Sequence, residues 1–498
     1  MTQTAHDDTG NETPKPPMIG RNLPQPSRKK AIVDLANDLA PERDAWIEKN
    51  RYFHSEDDRY FSFLISEGQK ILQLGCGNGR LLKTLKPSYG VGVDLSAGMI
   101  EQAQANVPEC TFIVGDMEDP ELIDSLEGPF DVIIISDTIG YLDDCEATFA
   151  SLHSLCNRDT RLVVAYYSWL WSPVLKMAEA IGQHVPQVEM NWFSTDDITG
   201  LLELADFEPV KMEWRQLVPI HLLGLGPLIN RFIGTLPGIR NLCLRNYIVA
   251  RPMRDAAEPG LSCSVLIPCR NEKGNIEPAV QRLPRFCDDI EILYVEGGSQ
   301  DGTFEECERV RDAYPQYDIK VFKQDGIGKG DAVRKGFGEA RGDILMILDA
   351  DLTVPPETLP KFYKALAEGK GEYINGTRLI YPMEREAMRF LNFWANRTFS
   401  WLFSWLLNQK FTDTLCGTKV MRRRHYERLA ANRAYFGDFD PFGDFDLIFG
   451  SAKMNLKIVE VPIRYAARRY GETQISRFRH GWLLLQMVVF AFKKLKAF

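Results

Sequence analysis

The chain lacks paired cysteines. Its ten cysteines are spread singly from Cys76 to Cys416 with no CxxC among them, so neither a disulfide framework nor a cysteine zinc site is expected. It lacks a secretory leader at the N-terminus, and no window supplies the ~18–20 uninterrupted apolar residues of a spanning helix. A cytoplasmic protein is therefore expected, with any membrane attachment peripheral and at the inner face of the cell membrane. An excess of basic charge is also lacking. The net charge of -9 argues against a general nucleic-acid binder and leaves room only for local basic patches. No repeat relates one part of the chain to another.

What is present is enough chain for two or three cores, since 498 residues exceed what one ordinary domain holds. Residues 1–30 are polar and proline-rich and read as a disordered tail. A strand-like run stops at Arg251-Pro252 and another starts near Ser262 after a charged, Pro/Gly-containing stretch, which gives domains over 31–255 and 256–498. Both halves alternate short apolar runs with longer amphipathic ones. In the first half the strands are "KILQLGC", "YGVGVDLS", "CTFIVGD", "FDVIIISD" and "TRLVVAYYS". In the second they are "CSVLIPCR", "IEILYVEGG", "IKVFKQD", "DILMILDAD" and "EYINGTRL". This pattern predicts an α/β protein of two doubly wound domains, whose ligands bind outside the carboxyl ends of the strands.

In "ILQLGCGNGRLL", Gly75, Gly77 and Gly79 stand between a strand and a helix, where a glycine backbone can approach a ligand closely. Asp94 ends the second strand and Asp116, followed by Met117, ends the third. A carboxylate at the second position can accept hydrogen bonds from ribose hydroxyls. Together these features resemble the class I S-adenosylmethionine-dependent methyltransferases, over roughly residues 50–210. The resemblance implies a Rossmann-like fold with S-adenosylmethionine held by Gly75, Gly77, Gly79, Asp94, Asp116 and Met117. One departure is Gln73, where an acidic residue is usual. An amide cannot ion-pair with the cofactor's cationic end, so a non-catalytic scaffold stands as the alternative. No His or Lys stands out as a base; Tyr141, Asp137 and His153 are the candidates, with a structural or surface role as the other reading of each.

The second half ends one strand in "DILMILDADLTVPPE". On a strand, Asp349 and Asp351 would share a face, and two adjacent carboxylates repel unless a cation joins them. Mg²⁺ or Mn²⁺ touching a diphosphate resolves that conflict. Neighbouring strand ends carry Pro268, Arg270, Asn271 and Glu272, then Glu296, Ser299 and Asp301, then Gln324, Gly328, Lys329 and Gly330. The order resembles the family 2 glycosyltransferases of GT-A fold, over roughly residues 260–475, and within them the dolichol-phosphate mannose synthase and polyprenyl-phosphate glycosyltransferase group. Further matching pieces are "NGTRL" with Arg378, "FTDTLCGTKVMRR" with Asp413, and "VPIRYAARRYGETQ" with Arg468, Gly471 and Thr473. The departure here is Glu296-Gly297, where two aspartates are usual.

That resemblance implies a nucleotide-sugar donor whose nucleoside lies among Pro268, Arg270, Glu272, Glu296 and Gln324. Lys329, Asp349 and Arg378 complete the substrate contacts, Asp349 and Asp351 hold the metal, and Asp351, Asp446 and Arg468 are the catalytic candidates. Two readings of Asp444 and Asp446 in "FGDFDPFGDFDLIFG" stand open: a base for an acceptor hydroxyl, or carboxylates decorating a helix N-terminus. The expected activity is inverting transfer to a polyprenyl phosphate in cell-envelope glycan or glycolipid synthesis, beside a methyltransferase domain, with a glycan hydroxyl as the alternative acceptor. Aromatic-rich stretches at 388–407 and 481–498 suit either helices in the membrane interface or helices packed on the sheet. On the interfacial reading Trp482, Leu484, Val488 and Phe490 enter lipid while Lys493, Lys494 and Lys496 approach anionic headgroups.

Overall fold

The computed structural model describes residues 27–254, 256–378, 390–435, 445–464, 466, 468, 470 and 477–497. The first sheet is built from β1 (Lys70–Leu74), β2 (Tyr89–Asp94), β3 (Thr111–Val114), β4 (Val132–Ser136), β5 (Arg161–Tyr167), β6 (Phe207–Arg215) and β7 (Arg245–Pro252). Its order is β3-β2-β1-β4-β5-β7-β6, parallel from β3 through β5, with β6 and β7 antiparallel to each other. Strands buried on both faces read as unbroken apolar runs, and Ile133, Ile134 and Ile135 of β4 are wholly buried. The chain reverses its winding between β1 and β4, which opens a crevice at their carboxyl ends. Pro209, which has no amide to donate, adjoins a register shift between β6 and β7.

Helix α1, Ser27–Leu39, begins within the segment expected to be a tail. Its first turn is tied to the domain by ion pairs: Arg28 pairs with Asp143 at 3.0 Å and the buried Lys29 with Glu118 at 2.8 Å. Residues 1–26 lie outside the described residues. Helices α2 (Arg80–Leu85) and α3 (Ala97–Asn106) follow β1 and β2.

The second sheet comprises β8 (Cys263–Cys269), β9 (Ile290–Glu296), β10 (Asp318–Lys323), β11 (Ile344–Ile347), β12 (Tyr373–Thr377), β13 (Lys419–Arg422) and β14 (Ile458–Pro462). Its order is β10-β9-β8-β11-β13-β12-β14, with β13 antiparallel to β11 and β12 and the other pairs parallel. Val265, Ile267, Ile292, Tyr294 and Met346 belong to its core. Winding reverses between β8 and β11, again placing a crevice where the expected ligand-binding residues cluster. Helix α4 (Lys329–Glu339) leads into β11, and α5 (Phe390–Leu407), α6 (Phe445–Lys453) and α7 (Arg477–Leu495) come later. By compactness the chain divides into Met1–Leu201 and Leu202–Phe498, so β6 and β7 are counted with the second unit. Among the described residues no helix is long and apolar enough to cross a membrane.

Two expectations are corrected here. β11 stops at Ile347, so Asp349 and Asp351 lie in the turn beyond it and not on one strand face. The last helix also faces differently from the lipid-facing set above. Leu484 and Val488, with Met487, Ala491 and Leu495, are buried within the protein, because positions spaced by three and four residues form one stripe. Lys496 is not near a surface: it is wholly buried, its ammonium 2.8 Å from Glu213 Oε2 and donating to Asn408 Oδ1 at 2.8 Å. Lys494 donates to the Tyr435 carbonyl at 2.6 Å. Trp482 and Lys493 remain exposed, and Phe490 is partly buried.

Candidate functional site

At the carboxyl ends of β1 to β3, Gly75, Gly77 and Gly79 take φ values of 75°, 52° and 77°, a region that glycine enters without cost. A Cβ at Gly75 would lie 2.0 Å from Thr138 Oγ1, and one at Gly79 3.2 Å from Ala103 Cβ. Packing excludes a side chain at Gly75 and crowds one at Gly79. A Cβ at Gly77 would meet nothing within 4 Å, so this one faces open space. Asp94 accepts from the amides of Gly77 at 2.8 Å and Ser96 at 2.9 Å. Burial lifts its carboxyl above the ordinary range, and those two hydrogen bonds only partly offset it. Asp116 accepts the Glu118 amide at 3.0 Å and pairs with Lys29 of α1, while Met117 is buried.

Gln73 is buried, and among the described residues its Oε1 has no hydrogen-bond partner. An orphaned buried acceptor is uncommon, and it suits a ligand that brings its own N–H donors. Residues of α1 that the sequence analysis did not single out reach the same strand ends. Asn37 Oδ1 accepts from Ser96 Oγ at 2.7 Å and from the Gly98 amide at 3.1 Å. Of the candidate bases, Tyr141 is pushed up to about 12 by burial and by Asp137, so its phenol stays protonated at neutral pH. Asp137 is exposed at φ 61°, and His153 lies in the turn Leu152–Leu155.

In the second unit the candidate residues come from four strand ends. Pro268 lies on β8, and Arg270, exposed, and Glu272 follow it; Glu296 ends β9, Gln324 follows β10, and Lys329 opens α4. The β8 turn is tied to the β9 turn by backbone amides. Asn271 donates to Ser299 Oγ at 2.9 Å, Glu272 to Thr303 Oγ1 at 3.0 Å and Lys273 to Asp301 Oδ2 at 3.2 Å. Glu296 accepts the Ser299 amide, and Gln324 donates to the Gly326 carbonyl at 2.9 Å. A Cβ at Gly297 would lie 3.1 Å from Gln324 Oε1, so an aspartate at that position would crowd Gln324.

The carboxylates after β11 are met by two different cations. Lys329 Nζ lies 2.7 Å from Asp349 Oδ1, whereas Arg468 lies 2.6 Å from Asp351 Oδ2 and 3.2 Å from Glu272 Oε1. Thr353 fixes the Asp351 carboxylate by donating from its amide at 3.1 Å and its hydroxyl at 2.7 Å. Burial alone would raise the Asp349 carboxyl, but Lys329, then Lys419 and Arg378, outweigh it and hold it below the usual range. Glu272 is displaced upward, by burial first and then by Asp351 and Asp301, against Asn275 and Arg468. Two carboxylates with no sulfur or imidazole beside them in these contacts form a donor set suited to Mg²⁺ or Mn²⁺.

Arg378 is engaged in a bidentate pair with Asp413, both contacts 2.7 Å, and the Asp413 carboxyl, buried yet paired, stays below its ordinary range. Asp446 sits in the first turn of α6 with Arg433 Nε 3.3 Å from its carboxylate. Asp444, Gly471 and Thr473 lie outside the described residues. Two contributors were missed from sequence. A Cβ at Gly417 would fall 1.7 Å from Asp349 Oδ2, so only glycine lets that loop pass the carboxylate. Tyr470 OH donates to Asp301 Oδ2 at 3.4 Å, and its ring would lie 2.7 Å from a Cβ at Gly274.

Residues 46–212 match the family model described as a methyltransferase domain, and residues 264–430 the one described as glycosyl transferase family 2. The chain joins a methyltransferase domain to a family 2 glycosyltransferase domain. It is 29% identical over 224 residues to a dolichol-phosphate mannosyltransferase of Pyrococcus furiosus, a match covering 43% of this chain and 60% of that protein. To the enzyme of the same description from Saccharomyces cerevisiae it is 38% identical over 109 residues, covering 21% and 40%. The chain thus spans less than two thirds of the length of either relative. Similar solved structures include a Thermotoga maritima S-adenosylmethionine-dependent methyltransferase, at 18% identity, covering 44% of this chain and 99% of that one with a TM-score of 0.35. Another is glucosyl-3-phosphoglycerate synthase of Mycobacterium tuberculosis with Mn²⁺, uridine diphosphate and phosphoglyceric acid, at 19% identity, covering 48% and 81% with a TM-score of 0.36.

Proposed function

We propose that the glycosyltransferase domain moves a glycosyl group from a nucleotide diphosphate sugar to a polyprenyl phosphate, with inversion, at the inner face of a cell membrane in the making of envelope glycans or glycolipids. The observation that carries this reading is the array of Lys329 on Asp349 and of Arg468 between Asp351 and Glu272. Lys329 and Arg468 are cations held at the mouth of the crevice by carboxylates, and a diphosphate offers them better partners. Asp349 and Asp351, released from them, would hold Mg²⁺ or Mn²⁺, which when bound neutralises charge on the departing diphosphate. Glu272, Glu296 and Gln324 line the side where the nucleoside would rest, and Gln324, left uncrowded by Gly297, is the residue to select the base.

An acceptor phosphate is already ionised at neutral pH and needs no general base, which agrees with Asp446 being paired to Arg433. Similarity to two dolichol-phosphate mannosyltransferases supports the same acceptor. Arg468→Ala is expected to lower transfer to polyprenyl phosphate by about 10²–10³-fold, the usual cost of removing one preorganised charge partner. Arg468→Lys should recover part of it, since a point charge replaces a fork. Undiminished transfer by Arg468→Ala would refute the role.

For the first domain we propose S-adenosylmethionine binding, with Gly77 against the methionine moiety, Gln73 Oε1 accepting from its ammonium, Asp94 on the ribose, and Asp116 and Met117 beside the adenine. The cofactor when bound supplies an electrophilic methyl group. Gly77→Val is expected to lower affinity for S-adenosylhomocysteine at least about 100-fold by filling the open space and straining a positive φ. Calorimetry reads this directly. Absence of heat from the wild type at millimolar ligand would favour the scaffold alternative.

A further inference from the structure

The connection from β6 to β7, residues 216–244, belongs to neither matched stretch. It is built as an ordered excursion with its apolar side chains outward. Buried Asn230 holds it by donating to the Val218 carbonyl and accepting the Val218 amide, both at 2.8 Å. Thr235 accepts from Trp405 Nε1 of α5 at 2.8 Å through its carbonyl, and Arg240 donates to Asn408 Oδ1 at 3.0 Å. Phe232 meets Phe492 of α7 with ring centroids 6.2 Å apart, and Trp405 meets the same ring at 5.7 Å. The excursion, α5 and α7 therefore form one packed assembly within the second unit.

Leu225, Leu228 and Phe232 are about half exposed, and Leu223 is 101% exposed. Leu222 and Leu223 both have positive φ, 42° and 54°, a region that bulky side chains avoid. The backbone thus holds Leu223 away from any core. On the adjoining helices Trp401 of α5 and Trp482, Leu485 and Val489 of α7 are also exposed; the last three share one face by their spacing. Apolar exposure on this scale marks an interaction surface. Charge indicates which partner. The chain has 68 acidic residues, yet none falls within 214–254, 387–412 or 473–498, and each of these three segments carries arginine or lysine.

We infer that the β6–β7 excursion is a lipid-docking element that, with the outer faces of α5 and α7, seats the protein on an anionic bilayer surface. Segments that expose leucine and tryptophan and carry basic but no acidic residues insert apolar side chains at the headgroup boundary and attract anionic lipid. This deepens the inner-face reading of the proposed function, but it does not depend on the acceptor: it requires only lipid.

The test is co-sedimentation of the full chain with phosphatidylcholine vesicles, with and without phosphatidylglycerol and without any polyprenyl phosphate. Binding is expected to need phosphatidylglycerol and to weaken with salt. Leu223→Glu, whose side chain touches no core, should lower partitioning about tenfold, whereas Ile181→Glu, at an apolar residue also largely exposed (66%) but on the first unit, should not. Equal binding of wild type and Leu223→Glu would overturn the inference, as would equal losses in the two variants. Light scattering covers the competing occupant: if Leu223→Glu only converts a dimer to a monomer with vesicle binding unchanged, the surface is an interface between copies and the inference fails. Calorimetric binding of a nucleoside diphosphate, measured without vesicles, reports separately on the transferase reading.

Discussion

Asp351→Asn is expected to lower donor turnover about 10³-fold, the loss that follows when a Lewis acid contributing several kcal/mol of charge stabilisation loses a ligand. The amide keeps an oxygen where Asp351 Oδ1 accepts from the Thr353 amide and hydroxyl, so the turn after β11 is retained and the melting temperature should barely move. What is removed is the negative charge facing Arg468 at 2.6 Å. Excess chelator should reproduce the loss in the wild type, and added Mn²⁺ or Mg²⁺ should restore the wild type but not the variant. Full turnover by Asp351→Asn, or by the wild type in chelator, would refute metal use at this turn.

Lys496→Met is expected to destabilise the second unit by about 3–5 kcal/mol, the cost of leaving a buried charge without its partner. Glu213 and Lys496 are 2% and 0% exposed as side chains. Burial pushes the Glu213 carboxyl up, yet Lys496 and Arg215 overcome it and bring it to about 2, so it remains charged at neutral pH. Asn408 also donates to it. Without Lys496 the carboxylate stays in a low-dielectric site with one cation fewer. Guanidinium denaturation of both proteins reads the difference, and Lys496→Met combined with Glu213→Leu should recover part of it, because the uncompensated charge is then gone. A shift under about 1 kcal/mol in the single variant would contradict the burial seen for this pair.

The ten expected strands were legible because strands buried on both faces leave continuous apolar runs, as "VIIIS" of β4 does. Their carboxyl ends were overrun where the motif begins: "DILMILDAD" leaves the sheet at Ile347, since a strand pattern does not mark where pairing stops. β13, "KVMR", was not expected because its four residues include Lys419 and Arg422, which are buried on account of their partners and not of their hydropathy. β6 and β14 carry charges at positions where the sheet is edged or polar-paired, so alternation is faint. The strand-end logic placed Glu272, Glu296, Lys329, Asp349 and Asp351 at neighbouring strand ends, where Lys329 meets Asp349 and Arg468 joins Asp351 to Glu272. It could not pair Arg468 with Asp351, 117 residues away, because that contact exists only in the folded chain. The lipid-facing assignment of Leu484, Val488 and Lys496 failed for the same reason. A helix with two apolar faces does not announce which one meets protein, and Glu213, the partner of Lys496, lies 283 residues away.

The acceptor is the central claim, and it is tested most directly by incubating the full chain with a panel of radiolabelled nucleotide sugars and polyprenyl phosphate in phosphatidylglycerol-containing vesicles, then separating lipid from water-soluble label. The account predicts metal-dependent label in a lipid product that releases its sugar in mild acid, with none formed when the polyprenyl phosphate is omitted. Label transferred with equal efficiency to a water-soluble glycan, and none in lipid, would contradict it.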